Sequence, residues 1–183
     1  MRTKFSIIER IRNKIKIKGN AKISLAKNVK IVNCFITIKG KNNSLKIAKN
    51  CVLRDTTIEI LGNNSCIIIG ENCMIGKNCY LSAKEGRTIT IKANSALSRN
   101  VKIMTSDGHP IFSGNERINN AKDITIDNSV WIADNVTILK GVYIGKNSVV
   151  GINSTVTKSV EESSIVAGNP ARVIKQNIYW KDK

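Results

Sequence analysis

Histidine occurs once in the 183 residues, at position 109. A zinc site whose three histidines come from one subunit, or are shared between two subunits at a threefold interface, is thereby excluded. Aromatic residues make up only 4%, so the stacking platforms typical of RNA-binding proteins are missing and nucleic acid is not an expected partner. No apolar run approaches the roughly 18–20 residues of a membrane span, and no signal-peptide pattern opens the chain. The five cysteines, Cys34, Cys51, Cys66, Cys73 and Cys79, fall in no metal-binding or redox spacing. They read as free thiols of a reducing cytoplasm. The nucleophile-elbow pattern GxSxG is also absent.

Acidic residues are scarce as well: 13 Asp+Glu face 30 Lys+Arg, a formal net charge of +17. That balance suits a polyanionic partner, such as an acidic glycan, an anionic membrane surface or a phosphorylated cofactor. The competing explanation is a Lys-, Asn- and Ile-rich bias over a solvated surface, since the lysines are scattered rather than blocked. The opening "MRTKFSIIERIRNKIKIKG" reads as a short basic amphipathic helix with Phe5, Ile8 and Ile11 on one side. A cap packed on the body is the expectation for residues 1–16, with membrane-surface association as the alternative.

What the chain does have is a repeat. From Ile126 an aliphatic residue recurs every six positions, at Ile132, Ile138, Ile144, Val150 and Val156. Upstream, "LAKNV", "IAKNC", "IGENC" and "IKANS" begin at Leu25, Ile47, Ile69 and Ile91, each 22 residues after the last. Three hexads make 18, so each upstream coil carries four extra residues, around "GKNN" (40–43), "GNNS" (62–65) and "KEGR" (84–87). Such polar, Gly- and Asn-rich insertions suit turns at a coil corner. Each coil then needs three short strands, and stacked coils make three parallel sheets with an aliphatic interior. Asn28, Asn50, Asn72 and Asn94 should stack at a corner, where Asn tolerates a left-handed backbone. Cys51 and Cys73 should be small buried hydrophobes.

These hexads, followed by "AGNPARVIK" and preceded by a "GHP" loop, resemble the hexapeptide-repeat acyltransferases over about residues 25–175. The stretch from "ITIDNSVWIADNV" to "AGNPARVIK" is most similar to the galactoside, maltose and surface-polysaccharide O-acetyltransferases. The resemblance implies an all-β, left-handed parallel β-helix of about six coils over residues 17–166, and a short tail over 167–183. It also implies a homotrimer with active sites between subunits, and a cytoplasmic bacterial protein.

The rhythm breaks once. From Ile91 to Ile126 is 35 residues where 18 are expected, and the excursion, centred on 107–123, holds His109. Long loops in compact domains are commonly functional. Acetyl transfer to an alcohol needs a base to remove the hydroxyl proton, and imidazole suits that task. The resemblance makes His109 that base, acting in direct transfer from acetyl-CoA to a hydroxyl, with no covalent enzyme intermediate and no metal. Asp107, Glu116 or a backbone carbonyl could orient its ring. Asp107, Arg117 and Asn119 are candidates for contact with the acceptor, though Arg117 and Asn119 serve equally well to fix the loop. Asn78 aligns with an acceptor-contacting asparagine of the sugar acetyltransferases, or simply belongs to a corner ladder.

On the cofactor side the resemblance implies that Trp131, Ala133 and Asp134 flank the pantetheine arm. Gly151 and Ile152 would offer backbone groups, with Thr157 further along. Lys158, Arg172 and Lys175 would meet the adenosine phosphates. Asp134 stands where a serine is found, and Lys175 where an arginine is common. The expected acceptor is a sugar hydroxyl of a bacterial surface polysaccharide (capsule, O-antigen or lipooligosaccharide), acidic or sialylated polymers included. A small free sugar or another small hydroxyl compound is the alternative acceptor. A β-helix scaffold or binding module is the non-enzymatic alternative.

Overall fold

The computed structural model describes residues 3–181. Residues 1 and 2 of the expected cap, and 182 and 183 of the tail, lie outside the described residues.

The chain winds as a three-sided solenoid. One sheet stacks seven strands, from Lys14–Lys18 to Thr155–Val156, and a second stacks six, from Ala21–Leu25 to Tyr143–Ile144. The third runs from Lys30–Val32 through Trp131–Ile132 and Val149–Val150 to Ile165–Gly168, and is closed by Ala171–Lys175. All stacking pairs are parallel except that last one, which folds back antiparallel on its neighbour. The first stacked strand therefore begins at Lys14, and the first residues of the tail extend the third sheet.

The repeat explains the register. Ile58 pairs with Ile36 below and Leu81 above, then Ile103, Ile138 and Val156 continue the column. Every side chain in it is essentially inaccessible. Two of the three corners turn through asparagine-type residues in the left-handed region. Asn28, Asn50, Asn72 and Asn94 have φ of 57–61° and pass side-chain hydrogen bonds up the stack at 2.9–3.1 Å. Asn100, Asn135 and Asn153 do the same on the corner between the third and first sheets. A non-glycine residue pays for positive φ, and Asn pays least because its short amide can bond locally.

The buried corner positions beside these ladders take Cys51, Cys73 and Ser95, whose Sγ or Oγ reaches a carbonyl of the next coil. Burial pushes the Cys79 thiol up to about 11. These cysteines are small packed hydrophobes with satisfied protons.

All the four-residue insertions fall at the remaining corner, between the first and second sheets, where Asn42, Asn64 and Glu85 carry the positive φ. The excursion around His109 leaves from this same corner, between Lys102–Met104 and Ile124–Ile126.

At the N-terminus, the helix Ile7–Arg12 is closed by a capping box between Ser6 and Glu9. Phe5 is buried and Asn13 is tied to Glu9, Ile31 and Cys34, so the segment does cap the solenoid. The expectation that Ile8 and Ile11 share a packed face with Phe5 is not met, because Phe5 precedes the helix and Glu9 takes the inward position. Ile7, Ile8 and Ile11 are 77%, 61% and 79% exposed. Among the described residues no helix is long and apolar enough to cross a membrane.

Truncating the interior should be felt far more than truncating the cap. Ile58→Ala should lower stability by about 2–5 kcal/mol, as for other large-to-small core changes. Ile8→Ala should change it by less than about 0.5 kcal/mol. Urea denaturation followed by circular dichroism measures both, and equal effects would contradict the burial pattern.

Candidate active site

A cleft lies on the third sheet and the corner it shares with the first. Its volume is about 860 Å³, and Trp131, Ala133, Asp134, Gly151 and Ile152, all expected on the cofactor side, line it. They converge because hexad spacing stacks Trp131 on Val149 and Ala96 on Trp131, with outward-facing Met74 below. Trp131 donates its indole proton to Ser98 Oγ at 3.0 Å and lies 6.1 Å, ring centre to ring centre, from Trp180. Trp180 comes from the tail, which runs back along the solenoid and pins its own indole to the Ser129 carbonyl at 2.6 Å. The chain's two tryptophans thus form one apolar wall.

Sequence reasoning missed Trp180, Ser98 and Arg99. Arg99 was findable, since it stands 35 residues before Asp134, the spacing that relates Ile91 to Ile126. Its backbone amide and guanidinium both bind the Asp134 carboxylate. This contact holds the Asp134 carboxyl below the usual carboxylate range. Asp134 is therefore paired along the stack instead of presenting a free hydroxyl-like group to the cleft.

Gly151 also differs from expectation in one respect. Its amide is spent on the Val166 carbonyl at 2.8 Å, and its carbonyl accepts from Ser154 Oγ at 2.7 Å. What Gly151 contributes is thinness: a Cβ there would meet the Ala167 Cβ at 2.8 Å.

A second hollow of about 220 Å³, between the last coils, brings Lys158 and Arg172 together with Val156 and Ala171. Thr157 and Lys175 are exposed nearby in sequence but do not line it. Two cations at one mouth suit an anionic group.

His109 stands elsewhere. It is exposed on its loop, just after Gly108, whose φ of 90° bends the chain outward. The loop below it is tightly built. Buried Asn119 donates to Asp107 Oδ2 at 2.9 Å and to the His109 carbonyl at 2.8 Å, and accepts from the Ile111 amide at 2.7 Å. Lys140, one coil on, binds the Asp107 carboxylate and, at 2.9 Å, the Asn119 carbonyl. Glu85, one coil back, takes Ser106 Oγ at 2.6 Å and Arg117 Nη2 at 2.8 Å.

Asp107, Arg117 and Asn119 are thus brought together as the frame of the loop, holding the backbone that carries His109. The Lys140 ammonium keeps the Asp107 carboxyl below its usual range, and Ser106 with Arg117 does the same for Glu85. Beyond the frame, a two-stranded hairpin (Phe112–Ser113 with Glu116–Arg117) exposes Ile111, Phe112 and Ile118.

Asn78 is exposed at the corner between the third and first sheets, with φ of 58°, so the corner itself accounts for it. It shares that corner with Asp134 and Ile152. The loop bearing His109 leaves from a different corner, so within one chain the expected base and the cleft are not joined.

No family model matches the sequence. Relatives and solved structures do. The polysialic acid O-acetyltransferase of Escherichia coli O1:K1 is 43% identical over 94 residues, 50% of this chain and 31% of that protein. The galactoside O-acetyltransferase of E. coli K12 is 38% identical over 112 residues, 56% of this chain and 54% of its own length. The chain thus spans between about a third and about a half of these curated relatives. The crystal structure of NeuO, a polysialic-acid-specific acetyltransferase, matches at 32% identity and a TM-score of 0.74, covering 94% of this chain and 90% of that one. A hexapeptide-repeat acetyltransferase of Vibrio cholerae, solved with acetyl coenzyme A, matches at 32% identity and a TM-score of 0.53 over 60% of each chain.

Fold and cleft together define a left-handed parallel β-helix with a loop-borne histidine. The chain belongs to the hexapeptide-repeat acyltransferases, on the side of the galactoside and surface-polysaccharide O-acetyltransferases.

Removing Lys140 should loosen the loop without unfolding the solenoid. Lys140→Ala should raise amide exchange over 107–120 while costing less than about 1 kcal/mol overall, because the pair is partly exposed. Because the Asp107 and Glu85 carboxyls are held low, the frame should stay intact at neutral pH and be lost only as pH falls below the ordinary carboxylate range. Hydrogen exchange that is unchanged in the variant would show that Lys140 does not hold the loop.

Proposed function

We propose that the protein is an acetyl-CoA-dependent O-acetyltransferase acting on a sugar hydroxyl of a bacterial surface polysaccharide, with His109 as general base. The observation that carries this reading is the division of parts. A rigidly framed loop holds an exposed imidazole, while an apolar cleft lies on another corner. A neighbouring copy would bring the two together, and exposed Ile111, Phe112 and Ile118 on the hairpin supply an apolar contact for it. The resemblance to the family makes that assembly a homotrimer with sites between subunits.

The residues present fit the donor. Trp131, Trp180, Ala133 and Gly151 make a thin-floored apolar slot for the pantetheine arm. Lys158 and Arg172 flank a hollow that suits its phosphates, with Lys175 adding charge nearby. When bound, the thioester supplies an acyl group activated toward attack by an alcohol.

His109 would take the acceptor's hydroxyl proton on a ring nitrogen as that oxygen bonds to the acetyl carbon. Its imidazolium then holds the proton as the thiolate leaves. Asn119, through the His109 carbonyl, and Asp107, through Asn119, fix where that ring sits. Arg117 stays with Glu85, so its part in the acceptor site is indirect.

The acceptor is inferred as an acidic polymer because relatives are named for polysialic acid. A small free sugar is the second reading, favoured by the likeness to the galactoside O-acetyltransferase.

His109→Ala should lower kcat by about 10²–10⁴-fold with little change in the KM for acetyl-CoA; undiminished transfer would remove His109 as the base. Co-expressed His109→Ala and Trp131→Ala chains should regain part of the activity each lacks alone, if one copy's loop serves another's cleft. No recovery, with a fully active monomer by light scattering, would contradict the shared site. Transfer to polysialic acid should fall with added salt while transfer to a neutral galactoside hardly changes; equal salt response would favour the small-sugar reading.

A further inference from the structure

The positive charge is not spread over the solenoid. Residues 1–54 hold 15 of the 30 basic residues and one of the 13 acidic ones, a net +14 of the total +17. Lysines that look scattered along the sequence are gathered by stacking into the first coils. Lys14, Lys16 and Lys18 point outward together from the first strand.

The cap on this end carries exposed isoleucines. At about 100° per residue, Ile7, Ile8 and Ile11 share one face of the helix, Arg10 and Arg12 flank it, and Glu9 points to the body. The same apolar surface continues past Ile11 into a groove with Phe35, which is 49% exposed beneath the Lys14 ammonium.

We propose that this N-terminal end docks on an anionic lipid surface, with Ile7, Ile8 and Ile11 entering the headgroup boundary and the surrounding lysines and arginines meeting lipid phosphates. Membrane attachment by a peripheral protein needs two signals, apolar insertion and a polybasic patch, and both are here on one end. A second copy is a poor occupant, because two such ends would bring like charges together. A soluble polyanion would use the charge but leave the three isoleucines without a role. The cleft lies on the flank of the solenoid, two stacking steps from the first coil at Met74 and five at Val149, or roughly 10–24 Å at about 4.8 Å per step. Docking therefore leaves the cleft open.

The test is vesicle flotation of the full chain with phosphatidylcholine alone and with phosphatidylcholine containing phosphatidylglycerol. The wild type should float with the anionic vesicles, weakly with neutral ones, and less as salt rises. The variant Ile7→Ser, Ile8→Ser, Ile11→Ser should bind the anionic vesicles at least about tenfold more weakly. Its thermal midpoint should be unchanged, since the three side chains already face solvent, and a lowered midpoint would refute that they are free. Equal flotation of variant and wild type overturns the proposal. So does a lower light-scattering mass for the variant, which would make the patch an interface between copies. Heparin binding that ignores the three changes, without vesicle binding, would assign this end to an anionic glycan and overturn it as well.

Discussion

Everything in this fold depends on turning the chain sharply at every sixth residue or so without spending a glycine each time. Asparagine makes this possible, because it enters the left-handed region at modest cost and then bonds its own image one coil away. The ladder from Asn28 to Asn94 and the one from Asn100 to Asn153 each convert a local strain into a longitudinal contact. With two corners so defined, the strands between them need only two to five residues, and the interior column of Ile, Leu and Val follows. The cleft inherits this regularity: Met74, Ala96, Trp131 and Val149 line one wall because each is the outward residue of its own coil.

The third corner also turns through positive φ, at Asn42, Asn64 and Glu85, but it is tolerant of length. It accepts four extra residues in the early coils and a much longer excursion at 105–123 without disturbing the sheets on either side. The molecule thus separates two duties. Two tight corners maintain register, and one tolerant corner carries the loop of His109. The electrostatics are divided in a similar way along the axis, with the basic residues massed in the first coils and nearly balanced charge thereafter.

Much of this was legible in the sequence because a solenoid maps spacing directly onto space. The six-residue period gave the interior column, the 22-residue period gave the ladder from Asn28 to Asn94, and the interruption located the loop of His109. What escaped has a common cause. Trp180 reaches Trp131 by a tail that leaves the repeat, and Arg99 pairs with Asp134 only once the excursion is subtracted. Gly151 looked like a source of free backbone groups, yet stacking consumes its amide. The isoleucines of the first helix looked like packing residues because periodicity reports a shared face, not which side that face turns to. The gathering of lysines at one end was visible only as a count until coils were stacked.

The frame beneath His109 draws one partner from the coil before it, Glu85, and one from the coil after it, Lys140. The loop is therefore a rivet through three consecutive turns. Neighbouring turns of a solenoid otherwise hold each other only by nearest-neighbour contacts. Here the segment that carries the imidazole adds side-chain ties to the turn before it and the turn after it, beside the strand pairing that already joins them.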